Sequence, residues 1–457
     1  MTTRIQDKSP EVQEMASEWP VIHALMGGTR AMREASKTLL PKWPNEEQGS
    51  YNSRLSTATL YPAFNRTVGV MAGKPFSKQL VLSDDVPPQV SELLEDCDLE
   101  GRNLHAFASE LMEYVLAYGF EGVLVDYPNT SGQVATLADQ QRIGARPYLV
   151  FIKHSQILGW KTERIGGVRT LTQLRLLEQV DDDDDDYAPG KVTQVRLFEP
   201  GRWATYRADA KGDYHLYEEG TTTLNAIPFV PFYGRRCHYM EGKSPLTDLA
   251  YLNVKHWQSQ SDQDTLMHVA RVPILFMKGF PETATVVVGA SAAVKSDSGD
   301  ADIKYVEHSG AAIGAGRDAL KDLEQQMLQI GAELLVSRNK PNKTATESNN
   351  EAEANKSELQ RIVETFEDSL DQVLQFMAAW LGLPDGGHVS LFKDFGSSDL
   401  SDASAQLVLA MQGAGLITKE TAIREQQRRG ILAVEIDPVA ELEAVSTEGP
   451  ALGTMGA

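Results

Sequence analysis

The sequence predicts an α+β protein of several domains, and three observations carry that prediction. Within the first 245 residues, a helix-periodic stretch is followed by short β-prone runs separated by Gly, Pro and Asp. After Pro245 the pattern changes to long helical segments. Between two of these, at about 271–312, lies a compact β-rich run rather than a simple turn. With 457 residues, the chain is long enough for two or three domains and an ample core.

Taken in order, residues 10–40 read as helical, with Ser9 and Pro10 at the cap and first turn and a break at Pro20. A second helix is predicted over 102–118, where Leu104, Phe107, Leu111, Val115 and Tyr118 recur at helical spacing. The runs GVLVDY, PYLVFI, RTLTQLRLLEQV, KVTQVRLFE, RWATYRA and PFVPFYG then read as strands of a mixed α/β region. A polar-centred helix over about 246–270 carries NVKHWQSQSDQDTLMH and is started by Ser244 with Pro245 at its first position. Beyond the β-rich run a helix begins near Arg317. Its Leu320, Leu323, Met327, Ile330 and Leu334 form a seam about two heptads long, which indicates helix packing rather than a coiled coil. The stretch SRNKPNKTATESNN (337–350) breaks the pattern. A long helix is predicted from about Glu351 to Leu381, with Leu359, Ile362, Phe366, Leu370, Val373, Met377 and Trp380 on one face and GLPDGG as its stop. Two short helices, LSDASAQLVLAMQ and KETAIREQQRRG, follow. From Glu435 the tail has acids, no bases and much Gly, Ala and Pro, and reads as disordered.

Composition excludes several classes. A net charge of −21 repels phosphate backbones on average, so the chain is not a generic nucleic-acid binder. Cys97 and Cys237 stand far apart in no metal-like spacing, which fits a reducing cytosol and no disulfide framework. The N-terminus is polar, with no signal-peptide core, and the most apolar runs are too short to span a bilayer. A soluble protein made in the cytoplasm is expected.

Several motifs invite chemistry. Gly242-Lys243-Ser244 is the end of a phosphate-binding P-loop, whose glycine-rich backbone wraps phosphates while the lysine neutralises them. The first glycine of that motif would fall at Cys237, the intervening HYME is bulky, and Pro245 follows. Asp126, ending an apolar run like a magnesium-binding acid, precedes the lysine instead of following it. The run Asp181 to Asp186 lacks the alternation, glycine and final glutamate of a calcium loop, and reads as a solvated hairpin connection. The nine histidines show no metal-ligand spacing, and His256 and His268 on one helix stand more than three turns apart. Gly314 and Gly316 precede a helix start, which permits an anion site but reads first as a bare helix start. The helices near 400–430, with Arg424, Arg428 and Arg429, have helix-turn-helix character, although bases closing a helix also complement its dipole. No catalytic residue, metal or cofactor is expected from these patterns.

The order of elements, with its residues, resembles the portal (connector) proteins of tailed bacteriophages. YNSRLSTATLYPAFNRTVGVMAGKPFSK is similar to the family's N-terminal region, and GKSPLTDLAYLNVKHWQSQSDQDTLMHVARVPILFMKG to a first stem helix running into the clip. YVEHSGAAIGAGRDALKDLEQQMLQIGAELL resembles the return along the stem, and TATESNNEAEANKSELQRIVETFEDSL the passage from tunnel loop to long helix. The resemblance covers roughly 50–435. It implies a portal fold with an N-terminal region and α/β wing at 1–245, stem helices at 246–270 and 316–337, and a small β-rich clip at 271–315. A tunnel loop would occupy 338–350, a long wing helix and following strand 351–395, a helical crown 396–434, and the disordered acidic tail 435–457. A homo-oligomeric ring of about twelve subunits with head-to-tail interfaces would sit at one capsid vertex of the virion, assembled in the host cytoplasm.

Through such a ring double-stranded DNA passes in packaging and ejection, without sequence preference. The implied partners are the terminase large subunit, head-completion or tail adaptor proteins, and the major capsid and scaffolding proteins, with no membrane, enzymatic activity, metal or cofactor. Arg338, Lys340 and Lys343 fall in the tunnel loop, where a few cations per subunit touch the DNA backbone weakly. Glu347, Glu351, Glu353 and Glu358 are candidates for an acidic lumen, within a stretch to 371 that also holds Glu364, Glu367, Asp368 and Asp371 against only Lys356 and Arg361; an ordinary solvated helix face is the equal alternative. Leu249, Leu252, Trp257, Leu320, Leu323 and Met327 are candidates for stem packing. Two other readings stand beside this one: a nucleotide-using packaging enzyme built on Lys243, and a helix-turn-helix DNA-binding protein.

Overall fold

The computed structural model describes residues 4–128, 144–182, 190–209, 211–271, 274–279, 299–306, 311–335 and 356–393, and a discontinuous set between 409 and 447. The chain divides into two compact units, Met1–Lys393 and Asp394–Ala457.

The first unit opens with three short helices, α1 (Pro10–Ala16), α2 (Trp19–Met26) and α3 (Gly28–Ala35). Ser9 caps α1 as predicted, its Oγ accepting from Val12 N. Pro20 does not break a helix; it lies in the first turn of α2, where a missing N–H costs nothing, and the interruption falls at 17–18 instead. Four more helices follow: α4 (Gln48–Thr57), α5 (Ala63–Gly73), α6 (Pro88–Leu93) and α7 (Leu104–Tyr118). The periodic stretch at 102–118 is α7, capped by Asn103 and ended by Gly119 at φ 84°, a left-handed conformation that glycine adopts freely.

Two larger sheets form the body. In the first, β2 (Phe120–Asp126) lies between β3 (Tyr148–Ile152) and β9 (Phe229–Tyr233). The central position of β2 explains its unbroken burial from Phe120 to Val125. The second is a meander of β4 (Ile157–Ile165), β5 (Val168–Asp182), β6 (Gly190–Glu199), β7 (Arg202–Ala208) and β8 (Tyr214–Thr221), paired in sequence order. Asp181 pairs with Lys191 and Asp182 with Gly190, so the acidic run joins two antiparallel strands as predicted. Every strand pair among the described residues is antiparallel, which makes the body α+β in the strict sense rather than a wound α/β layer. A small pair, β1 (Val81–Leu82) with β14 (Val389–Ser390), ties the end of this unit to its first hundred residues.

Past β9 the chain forms the hairpin β10 (Arg235–His238) and β11 (Glu241–Lys243), then α8 (Thr247–Ala270), whose 24 residues span about 36 Å. The strands β12 (Ile274–Lys278) and β13 (Asp302–Val306) pair antiparallel, and α9 (Ala311–Glu333) returns. Gln263 Nε2 donates to Ile313 O at 3.1 Å, while His256 lies 3.5 Å from Glu324. Contacts that run down one helix as they run up the other make α8 and α9 an antiparallel pair.

Three boundaries differ from the sequence reading. α9 starts at Ala311, not near Arg317, because Ala311, Ala312 and Ala315 offset the two glycines. Gly314 and Gly316 are therefore inside the helix, and no anion-binding start exists there. A Cβ at Gly316 would run into the Gln263 side chain, so that glycine permits close approach of α8. The long helix α10 (Glu358–Trp380) starts at Glu358 rather than Glu351, set by a capping box: Ser357 N donates to Gln360 Oε1 at 2.8 Å and Gln360 N to Ser357 Oγ at 3.2 Å. In the second unit, α11 (Lys419–Arg428) matches expectation, but α12 (Pro438–Thr447) occupies a stretch predicted to be disordered. Asp437 accepts from Val439 N at 2.9 Å and Pro438 opens the helix; with Ala, Glu and Leu following, local propensity outweighs the one-sided charge.

Candidate functional site

The Gly242-Lys243-Ser244 segment is a packing junction. Lys243 ends β11, paired with Arg235, and is exposed. Ser244 is buried; its Oγ donates to Leu116 O at 2.7 Å and accepts from Leu246 N at 3.0 Å. Ala250 N bonds Leu246 O, so Leu246 is the cap and Pro245 precedes it rather than filling the first helical position. Gly242 abuts the backbone of Gly119, and Gly234 N donates to Gly119 O at 2.9 Å. A Cβ on Gly234 would lie 2.7 Å from Val115 O and 3.0 Å from Pro245 Cδ. Three glycines thus let the end of α7, the hairpin and the entry to α8 meet backbone to backbone. No phosphate loop remains, which removes the nucleotide-binding reading of Lys243. Asp126 is equally committed: Arg196 holds it at 2.6 Å and reaches Glu178 at 3.6 Å. Burial works against the Arg196 charge, but these carboxylates more than offset it and hold its pKa above the ordinary value.

The expected stem residues divide. Leu249, Trp257, Leu320, Leu323 and Met327 are buried, whereas Leu252 is only half-buried. The first half of α8 lies against the N-terminal helices through polar clamps that hydrophobic periodicity could not reveal. Asn253, fully buried, accepts from Phe64 N at 2.9 Å and donates to Tyr61 O at 2.8 Å. It satisfies an orphan donor at the start of α5, where Pro62 offers no capping side chain. Arg54 and Glu46 pair at 2.9 Å with both side chains buried, and the guanidinium stacks over Trp43. His256 is buried with neither ring nitrogen hydrogen-bonded; burial pushes its pKa down, against the pull of Glu324. Elsewhere Glu121, fully buried, accepts from the backbone N and Nδ1 of His154, both at 2.6 Å.

Arg338, Lys340, Lys343, Glu347, Glu351 and Glu353 lie outside the described residues. Glu358 accepts from Arg235 Nε at 3.0 Å, so it is not a free acid. The rest of that acidic stretch is also engaged internally. Glu364 pairs with Lys356 at 2.8 Å, buried Glu367 takes Leu391 N and Lys393 Nζ at 2.6 Å each, and Asp371 accepts from Val389 N at 2.8 Å. Among the described acids of the stretch, Asp368 is the exposed one. The excess of carboxylates along α10 thus largely anchors the helix and the segment that follows it, instead of forming an open acidic face.

Basic residues do converge at the start of α10. Arg235, Arg236, Lys356 and Arg361, with Glu333 and Glu358, line a cleft of about 720 Å³ between the β10–β11 hairpin and the first turn of the helix. In the second unit, Arg424 pairs with Glu420 at 2.7 Å, one turn away on α11. Arg429 and most of the preceding predicted helix fall outside the described residues, as does the Arg428 side chain. Cys97 is buried and its thiol is pushed up to about 12 by burial, while Cys237 is exposed. Among the described residues no three His, Cys, Asp or Glu side chains are grouped to hold a metal, and no helix is long and apolar enough to cross a membrane.

A family model described as a domain of unknown function (DUF4055) matches residues 245–381, from the entry of α8 to the end of α10. No curated protein matches the chain. Solved structures similar to it include a chain from the neck of an empty GTA particle computed with C6 symmetry, at 12% identity and TM-score 0.44, over 85% of this chain and 95% of that one. A chain from the neck of the native GTA particle computed with C12 symmetry is similar at 14% identity and TM-score 0.42, over 79% and 88%. A chain of the virion of the native gene transfer agent particle is similar at 13% identity and TM-score 0.41, over 86% and 97%.

Proposed function

We propose that this chain is the subunit of a portal-type ring at a capsid vertex, which conducts double-stranded DNA and docks a packaging motor and, later, head-completion or tail proteins. The observation that carries the reading is the order after Pro245. A helix of 24 residues, a two-stranded antiparallel pair, an antiparallel return helix and a long helix packed over the β3–β2–β9 sheet follow one another as the sequence resemblance implies. In this reading α8 and α9 are the stem, the segment between them the clip, 338–350 the tunnel loop and 396–434 the crown. Burial along α8 suits it. The helix is anchored through Trp257, but from Gln258 on, its described side chains are mostly half-buried or exposed and largely polar. Such a surface fits neighbouring copies packed side by side around a wet channel, through the heterologous contacts a ring requires.

The test is to neutralise Arg338, Lys340 and Lys343 together. Ring assembly should persist while packaging or DNA retention falls; unchanged DNA content in the resulting particles would sink the tunnel-loop assignment.

A further inference from the structure

The cleft between the hairpin and α10 carries a positive charge on a chain of net −21. Four cationic and two acidic side chains line it, a local balance of +2 (4 − 2). Two of the cations hold acids: Arg235 binds Glu358 across the cleft, and Lys356 binds Glu364 along the helix. Among the described residues Arg236 and Arg361 pair with no carboxylate, and both are exposed.

Arg236 is also held by a ring, and Arg361 projects from a fixed backbone. Arg236 lies over the Tyr233 ring, 5.2 Å from its centroid, and the Tyr233 hydroxyl is fixed by Met240 N at 3.0 Å. Arg361 stands at the end of the first turn of α10, a turn locked by the Ser357–Gln360 capping box. The Arg235–Glu358 pair holds the two walls together. A guanidinium fork suits tetrahedral oxyanions, and the one stacked on Tyr233 loses less rotamer freedom on binding.

From these observations we propose that the cleft is a phosphodiester-binding site that engages the backbone of double-stranded DNA without reading its sequence. The assignment rests on the DNA-conducting function proposed above, and one placement connects the two. Glu333 and Lys356 both line the cleft, so it sits where the chain departs toward the proposed tunnel loop and where it returns. A duplex held in the cleft would therefore lie beside both ends of that loop. Glu333 and Glu358 offset part of the attraction of the four cations for phosphate, so binding is weak, reversible and salt-sensitive.

The experiment uses the full-length assembled protein and a short fluorescent duplex in two unrelated sequences, titrated across a series of salt concentrations. Wild-type protein should bind both duplexes alike. The double variant Arg236→Ser, Arg361→Ser should bind more weakly, with a log K against log salt slope shallower by about 2, since each lost phosphate contact removes about 0.9. The pair Arg236→Lys, Arg361→Lys should restore most of the slope, which guards against an effect on folding alone. An unchanged slope in the Ser variant overturns the proposal. So does a polyglutamate probe that binds in an Arg236- and Arg361-dependent way while duplex binding is unaffected, which would make the cleft a carboxylate site. Ring images of the same samples separate the two levels: no ring in the wild type refutes the proposed function, whereas intact rings with an unchanged slope refute only this site.

Discussion

Replacing Gly234 by Ala tests whether the junction before α8 depends on backbone contact. The backbone angle is ordinary, so the substitution adds volume without demanding a left-handed conformation. The new Cβ would lie 2.7 Å from Val115 O, 3.0 Å from Pro245 Cδ and 3.1 Å from Gly119 Cα. Ordinary contact begins at 3.4 Å, so the carbonyl must withdraw by about 0.7 Å (3.4 − 2.7), and every neighbour is backbone or a proline ring. Val115 O already accepts from Gly119 N at 2.9 Å, so its withdrawal also strains the end of α7. Overpacking of this kind costs about 1–3 kcal/mol, against a gain of about 0.5 kcal/mol from stiffening the unfolded chain. A net loss of about 1–2 kcal/mol is expected in urea unfolding followed by tryptophan fluorescence. Gly69→Ala is the control: it is exposed inside α5 with nothing within 4 Å, and should stabilise by about 0.5–1 kcal/mol. If Gly234→Ala is as stable as the wild type while Gly69→Ala behaves as stated, the close-approach argument is wrong.

Other outcomes follow from the same structure. Ser357→Ala removes one half of the capping box on α10 and should cost about 1 kcal/mol in the same unfolding assay. Lys243→Ala should leave stability within about 0.5 kcal/mol, and neither it nor the wild type should turn over ATP in a phosphate-release assay. His256 has a folded pKa depressed by burial, so the unfolded chain binds the additional proton as pH falls below about 6.5. Its contribution is present above that value and is lost as pH drops toward the folded pKa. His256→Leu should flatten the fall of stability as pH drops below about 6.5, by up to about 1.4 kcal/mol per pH unit.

Periodicity made the helical frame legible. The spacing of Leu320, Leu323 and Met327 placed α9, and the β-prone runs from Arg169 onward, punctuated by Gly, Pro and Asp, placed strands of the meander without its pairing order. What stayed hidden depended on partners distant in sequence. Asn253 capping α5 and Arg54 locking onto Glu46 are polar residues whose roles exist only once the chain has folded. The acids of α10 looked like an open charged face because the sequence shows their sign but not that Arg235, Lys356, Lys393 and the Val389 and Leu391 amides answer them. The capping box at Ser357 and Gln360 was readable, and would have moved the helix start by a full two turns; the acidic run upstream masked it. The basic cleft joins residues 235–236 to 356–361, a pairing no local motif encodes.

The central claim is that copies of this chain close into a channel. A cryo-EM class average of the purified protein, viewed down the symmetry axis, tests it most directly. The account predicts a closed ring of about twelve subunits around a central opening wide enough for a duplex. A population that stays monomeric under every assembly condition, or that closes without an axial opening, would contradict it.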